Sequence, residues 1–449
     1  MPEFRTVTPG DIKDAFRKDK GTKSVGVDEV PMHILKKVGP EIAEELAALV
    51  NACIRNRSWP QQWKMAEIIA IWKKKGDRQD PLSYRPISML PAIARLVERV
   101  LAEQLKGHIR ANSILPDFQH GFRAGHSTAT AVIQLVDQIA TAMDEGKFVM
   151  VASLDLAGAF DTVDKKILIR KLERSCGIQG AVKECLESYL QGRQQRVRKS
   201  EEKGGWKENP WGVPQGSVLG PLLFSLYCVD IGDAVDATIS QYADDCTLVV
   251  TAETAAGAVT EMNRALQEFS DYAAGNRLAA EPTKTQLMMC STKRIGKERV
   301  ECEMDGHIIK TSETIKVLGV FIDNKLSWEV HNAKAAGKAS GIARSIARGT
   351  RFLRLSDRAT LMQALAPSTH RLLPASTGES ECDSKEQSCE SIQPNGADSS
   401  KNAQERASAE KPGLAGIGGA KRCSERGDSR EGLEYGAARM PEKATAGRR

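Results

Sequence analysis

Thr238-Ile239-Ser240-Gln241-Tyr242-Ala243-Asp244-Asp245-Cys246-Thr247-Leu248-Val249-Val250 sets two adjacent carboxylates between two runs rich in β-branched and apolar residues. Runs of this kind, interrupted by a short polar step, predict two strands joined by a tight hairpin with Asp244 and Asp245 at its turn. Two ionised carboxylates held about 4 Å apart repel by roughly 4 kcal/mol at an effective dielectric near 20, so a fixed pair calls for a cation. Carboxylate oxygens suit magnesium, a hard ion usually held by one or two carboxylates together with substrate phosphates. Taken alone, the pair can also be read as a solvated polar turn.

A third carboxylate, Asp155, closes the apolar run Phe148-Val149-Met150-Val151-Ala152-Ser153-Leu154-Asp155, which predicts a buried strand. Alternation along that strand sends Met150, Ala152 and Leu154 one way and Val151, Ser153 and Asp155 the other, toward a cleft. Asp161 follows six residues on, after Ala159-Phe160. A helix cap is the competing reading of a single strand-end Asp. Between the two acidic sites lies Gly212-Val213-Pro214-Gln215-Gly216-Ser217-Val218-Leu219-Gly220-Pro221, a Gly/Pro-punctuated loop running into the apolar segment 222–229.

The ordered set S-L-D-L-A-G-A-F-D, G-V-P-Q-G-S-V-L-G-P and Y-A-D-D resembles the reverse transcriptases of non-LTR retrotransposons. Upstream, Ser83-Tyr84-Arg85-Pro86-Ile87-Ser88-Met89-Leu90 and His120-Gly121-Phe122-Arg123-Ala124-Gly125-His126-Ser127-Thr128 are similar to fingers-region motifs of that family. Downstream, Lys284-Thr285 and Val317-Leu318-Gly319-Val320-Phe321-Ile322-Asp323 are similar to its later motifs. The resemblance runs from about Val25 to about Leu365, and seven motifs in order carry far more weight than any one short string. A group II intron-type reverse transcriptase with maturase activity is the nearest alternative. A non-catalytic nucleic-acid-binding remnant is the alternative of a different class.

The resemblance implies an α+β right-hand polymerase: fingers, palm and a partial thumb, with an antiparallel palm sheet backed by helices. The expected divisions are an N-terminal extension over 1–54, fingers over about 55–147, palm over about 148–325, a partial thumb over 326–366 and, where the chain departs from the family and its composition fails to continue the thumb helices, a disordered tail over 367–449. The resemblance implies two magnesium ions, with manganese as a possible substitute, held by Asp155, Asp244, Asp245 and the backbone carbonyl of Leu156. Arg85 and one of Lys73, Lys74 and Lys75 match the family's basic pair for the nucleotide triphosphate. Phe160 stands where the family packs a residue under the sugar, with a plain core aromatic as the other reading. Asp161 is expected to organise the loop or contact the nucleotide, and Gln215 and Gly216 to lie against the templating pair. Lys284 is the expected proton donor to pyrophosphate, unless it is an ordinary surface lysine. The implied partners are an RNA template, a DNA primer and deoxynucleotides.

Length and composition fit. The 449 residues can bury a substantial core, and two or three lobes are expected. The formal charge of +6 lies wholly in the first 366 residues, which hold 51 basic against 45 acidic side chains. Ten cysteines without a C-x-x-C pair argue against zinc knuckles and a disulfide framework, and for a reducing compartment. No apolar stretch approaches the roughly 18 residues that span a bilayer, so a soluble, intracellular protein is expected, with nuclear access if the element is active. Oligomeric state is not legible.

Periodicity predicts helices near 40–57, 92–110, 128–144 with Ser127 as N-cap, 165–176 and 255–274, and a strand over 315–322. Over 334–365 a helical region carries Arg344, Arg348, Arg351, Arg354 and Arg358 at spacings of three and four, which would align them on one side of a helix as a solvated face or a nucleic-acid track. From Pro367 to Arg449 there are six Leu, Ile, Val or Phe side chains and one aromatic, Tyr435. That segment cannot bury enough apolar surface to offset ordering, and a frame or exon change near Ala366 is the expected cause, a flexible tail the alternative. Cys382 and Cys389 are too isolated to form a metal site.

Overall fold

A computed structural model describes residues 1–365 apart from Lys20, Thr22, 294–299 and Arg351. The expectations for 367–449, for the boundary at Ala366 and for Arg351 lie outside the described residues.

The first three helices, α1 (Pro9–Lys18), α2 (Met32–Val38) and α3 (Ala43–Arg55), form an apolar brace. Thr8 and Asp11 close a capping box at α1, and Ile12, Ala15 and Phe16 turn inward. Next come β1 (Met65–Trp72), β2 (Tyr84–Met89), α4 (Ala92–Ala111) and α5 (Thr128–Asp144). The Asp28 carboxylate accepts the Ala92 N–H at 3.1 Å and so ties the brace to the start of α4. Ser127 caps α5 as its sequence predicts, with Thr130 completing the box.

The next stretch contains β3 (Phe148–Ala157), α6 (Ala159–Thr162), α7 (Lys165–Arg174), α8 (Gly180–Leu190), β4 (Gln194–Lys199), β5 (Glu202–Lys203), β6 (Lys207–Glu208), α9 (Leu219–Tyr227) and α10 (Ile231–Ala234). After it come β7 (Thr238–Tyr242), β8 (Asp245–Ala252), α11 (Ala255–Gly275), β9 (Ala279–Ala280) and β10 (Gln286–Cys290). Three short pairs end the described chain: the hairpins β11 (Glu301–Met304) with β12 (His307–Lys310) and β13 (Thr314–Val317) with β14 (Val320–Asp323), then helices α12 (Glu329–Gly349) and α13 (Leu355–Leu365).

The central sheet runs β10-β3-β8-β7, antiparallel throughout, with β9 added at the end of β3. Most antiparallel sheets keep one face in water. Here both faces of β3 are covered. Met150, Ala152, Leu154 and Leu156 enter the main core with α4, α9 and α11, while Val149 and Val151 enter a second core built with α5, β13 and β14. Burying a valine or leucine side chain contributes about 1.5–3 kcal/mol, so this strand is fixed on two sides and only its end can carry polar groups. The predicted alternation holds, but the side expected to face a cleft is packed along most of its length and opens only around Ser153 and Asp155, both half-buried.

A second sheet runs β2-β1-β4-β5, with β1 and β4 parallel and β6 paired to β4. The described cysteines are buried free thiols. No helix among the described residues is long and apolar enough to cross a membrane.

Two expectations are corrected. The single strand over 315–322 is a hairpin, because Leu318 and Gly319 take positive φ values of 49° and 89° and reverse the chain. The helical region over 334–365 is two helices: α12 ends at Gly349, and α13 begins only at Leu355. Arg344 and Arg348 share α12, Arg354 stands in the connection and Arg358 is on α13, so the single arginine stripe does not form.

Candidate active site

Asp155 and Asp245 are direct partners across the β3–β8 ladder. Opposed side chains in such a pair have Cβ atoms about 4.5–5.5 Å apart, and like charges there are destabilising. Tyr242 and Asp245 close the β7–β8 hairpin, leaving Ala243 and Asp244 as its two-residue turn. Three carboxylates thus gather at one end of the central sheet, on the strands sequence reading had chosen.

Their electrostatics follow from that placement. Although the Asp245 side chain reaches solvent, the protein around it desolvates its carboxyl and pushes it up to about 6, with Asp244 and Asp155 adding to the rise and Lys316 opposing it. Burial also raises Asp244, helped by Asp155 and opposed by its own backbone N–H and by Arg85. Lys284, in a 3₁₀ turn after β9, donates to Asp155 Oδ2 at 3.0 Å and lies 3.8 Å from Glu281 Oε2.

These donors fit a hard divalent ion by chemistry: all offer carboxylate oxygen, and two, Asp244 and Asp245, are destabilised as anions by desolvation and by neighbouring carboxylates. Among the described residues, however, no three His, Cys, Asp or Glu side chains are drawn together closely enough to hold an ion. The Lys284 ammonium stands at Asp155. Leu156 pairs with Ala280 of β9 immediately beyond.

The structure links four more of the predicted residues, Arg85 to Asp244 and, as a second group, Lys73 and Gln215 to Asp161. Arg85, exposed on β2, is close enough to Asp244 to favour its ionised form. Lys73 follows β1, its ammonium donating to Leu82 O at 2.8 Å and acting on Asp161. Burial pushes the Asp161 carboxyl up to about 6 against that influence. Gln215 Nε2 donates to Asp161 Oδ2 at 3.0 Å. Lys74 and Lys75 continue outward into an exposed turn, so of the three lysines Lys73 is the one that acts on Asp161.

The loop 212–221 is anchored at both ends. Gly212 N donates to Val163 O and Val213 N to Phe160 O, each at 2.8 Å. Ser88 N donates to Gln215 O at 2.7 Å, and a Cβ on Gly216, whose φ is 111°, would meet Ser88 O at 2.8 Å. The close approach expected at Gly216 is therefore made to β2. Phe160 is half-buried, stacked on Phe224 at 4.8 Å and meeting Phe122 edge-on at 6.3 Å. Its ring packs into the core with these two rings.

Sequence reading missed Lys316 and Glu98. Lys316 reaches the site from β13 by a tertiary route with no local signature. Glu98 is fully buried on α4 and accepts from Val218 N at 2.6 Å and Leu219 N at 3.1 Å, which caps α9 from outside. A lone acid inside Leu96-Val97-Glu98-Arg99-Val100-Leu101 was the signal that could have found it.

Comparison with known proteins agrees with this geometry. The family profile described as reverse transcriptase (RNA-dependent DNA polymerase) matches residues 72–322, more than half of the chain. The "Probable RNA-directed DNA polymerase from transposon BS" of Drosophila melanogaster is 33% identical over 333 residues, covering 72% of this chain and 36% of that protein. The "RNA-directed DNA polymerase from mobile element jockey" of the same fly is 28% identical over 336 residues, with the same coverage. The "Retrovirus-related Pol polyprotein from type-1 retrotransposable element R1" of Bradysia coprophila is 26% identical over 349 residues, covering 75% of this chain and 33% of that protein. The chain spans about a third of the length of these relatives.

Proposed function

The chain belongs to the reverse transcriptase (RNA-dependent DNA polymerase) family, and we propose that it is the RNA-directed DNA polymerase of a non-LTR retrotransposon, extending a DNA primer on an RNA template with deoxynucleotides. The observation that carries the reading is the direct cross-strand pairing of Asp155 with Asp245, next to Asp244 at the hairpin turn.

Asp155, Asp244, Asp245 and the Leu156 carbonyl would hold two magnesium ions, or manganese in their place. Bound ions of this kind neutralise charge on the attacking and leaving oxygens of an in-line displacement. The residues of this chain supply the rest. Arg85 and Lys73 bind the triphosphate, the guanidinium as a two-pronged donor and the ammonium as a point charge. Asp161, held by Gln215, orders the loop beneath the nucleotide. Phe160 closes the space a ribose 2′-hydroxyl would need, and Gln215 with Gly216 borders the templating pair. Lys284 gives a proton from Nζ to the leaving pyrophosphate.

In this reading residues 55–147 are the fingers, 148–325 the palm, 326–366 the beginning of a thumb and 1–54 an N-terminal extension. Arg344 and Arg348 of α12, with Arg354 and Arg358 beyond, contact the nucleic-acid backbone. Nuclear access follows if the element is mobile. The relatives named as transposon enzymes support the retrotransposon branch over a maturase. The test is extension of oligo(dT) on poly(rA) with labelled dTTP and magnesium. Magnesium-dependent product that vanishes in Asp244→Asn supports the reading. Tight primer-template binding without any extension by the unaltered chain would leave a nucleic-acid-binding remnant instead.

A further inference from the structure

We infer that Gly121 and Gln241 are positioning residues, through which the segment 118–121 holds the turn that carries Asp244 and leads into Asp245. The inference rests on the reading of those carboxylates as the polymerase site. β7 is the outer strand of the central sheet, and an outer strand presents unpaired N–H and C=O groups on its free side. At Gln241 that side is taken by the segment that ends at Gly121. Gln241 N donates to Phe118 O at 2.9 Å, and His120 N donates to Gln241 O at 2.8 Å, which makes Gln119 and Gln241 a parallel bridge.

The segment then runs under the turn itself. A Cβ on Gly121 would stand 2.5 Å from Ala243 N, 3.2 Å from Tyr242 C and 3.3 Å from Ala243 Cα, so backbone lies on backbone there. Ala243 has φ 59°, a left-handed conformation that a residue with a Cβ holds only when its surroundings impose it. The buried Gln241 side chain supplies the second constraint, its Nε2 donating to Ala243 O at 3.2 Å. Ala243 thus has room at its nitrogen only for a glycine at 121 and is held at its carbonyl by Gln241, and Asp244 and Asp245 follow directly. A shift at either contact moves both carboxylates and leaves the groups around the triphosphate in place.

The test compares Gly121→Ala and Gln241→Met in the full chain, by steady-state extension on poly(rA)/oligo(dT) and by amide hydrogen exchange over 238–246. A displacement near 1 Å at a reacting centre costs about a hundredfold in rate. Gly121→Ala is expected to lose kcat on that scale with KM for dTTP within about twofold, and Gln241→Met to lose a smaller part in the same pattern. Exchange should quicken over 238–246 and stay unchanged elsewhere. Adding Ala243→Gly to Gly121→Ala should restore part of kcat, because glycine accepts a shifted left-handed turn without steric cost. Unchanged local exchange, or kcat and KM worsening together with lower global stability, would overturn the inference. If Gly121→Ala fails to fold, Gln241→Met decides by the same two readouts. If the unaltered chain does not extend primers, quicker exchange over 238–246 keeps the inference while the polymerase reading fails, and unchanged exchange removes both.

Discussion

The Lys284 ammonium stands 3.0 Å from Asp155 Oδ2, at the end of the strand that pairs Asp155 with Asp245. Hydrogen bonding to Asp155, with Glu281 nearby, raises the Lys284 pKa above its ordinary value, so the group is a cation across the neutral range. It neutralises the same carboxylate that is proposed to bind an ion, and it carries a proton in reach of the site.

Those two roles separate in Lys284→Met. Removing a competing cation should lower the magnesium concentration for half-maximal extension by about threefold, while loss of the proton donor should lower kcat by roughly 10²-fold. A magnesium titration of primer extension reads both. An unchanged kcat would leave Lys284 a counter-ion only.

Asp245→Asn should stabilise the fold as it abolishes synthesis. A carboxyl raised to about 6 in the folded chain is more stable protonated, so its cost is absent below the ordinary carboxylate pKa near 4, grows as pH rises and is complete above about 6. Asp245 keeps solvent contact, which reduces the expected gain to about 1 kcal/mol at pH 7.5. Urea unfolding of both proteins at pH 4.0 and 7.5 checks the sign: the gain should shrink at the lower pH. A gain independent of pH would mean that carboxylate charge is not its source.

Much of this site was legible because its key signals are local. The β-branched and apolar runs flanking Asp244 and Asp245 and the strand ending in Asp155 need only neighbours to be read, and both formed as strands, with the turn one residue earlier than expected, at Ala243 and Asp244, and Asp245 opening β8. What failed depends on partners far away or on single backbone angles. The parallel pairing of β4 with β1 joins segments well over 100 residues apart and leaves no periodic trace. Leu318 has an ordinary side chain, yet its left-handed φ turns one predicted strand into two. The arginine spacing at 344–358 was correct as arithmetic but assumed an unbroken helix, and the break after Gly349 removed the shared face.

Phe160→Ala separates two roles of one ring. The stack on Phe224 and the edge contact with Phe122 make the ring part of the core, so its loss should destabilise by about 3 kcal/mol. If it also excludes the 2′-hydroxyl, the ratio of ribonucleotide to deoxynucleotide incorporation should rise at least tenfold in the folded variant. Paired measurement of unfolding midpoint and incorporation ratio tests this. Destabilisation with an unchanged ratio would confine Phe160 to the core.

Glu98 should matter to the nucleotide at a distance, through the end of the loop that it holds. α9 has no side-chain cap of its own at Val218, and Glu98 Oε2 accepts the Val218 and Leu219 N–H groups instead. Removing that acceptor frees the end of the loop bearing Gln215 and Gly216 and strips Arg193 of a nearby carboxylate. Leaving buried N–H groups without their acceptor typically costs about 1–3 kcal/mol each, so Glu98→Ala should destabilise by a few kcal/mol, roughly 2–5, and raise KM for dTTP in whatever folded protein remains. Glu98→Gln keeps one acceptor oxygen and should cost about 1–2 kcal/mol. Burial raises the Glu98 carboxyl, so wild-type stability falls as pH climbs through that raised value, whereas the glutamine variant has no such group to ionise. The gap between wild type and Glu98→Gln should therefore narrow with rising pH in urea unfolding. A gap that widens would mean the carboxylate is held by its partners more strongly than burial opposes it, and α9 would then be capped by a permanently charged group.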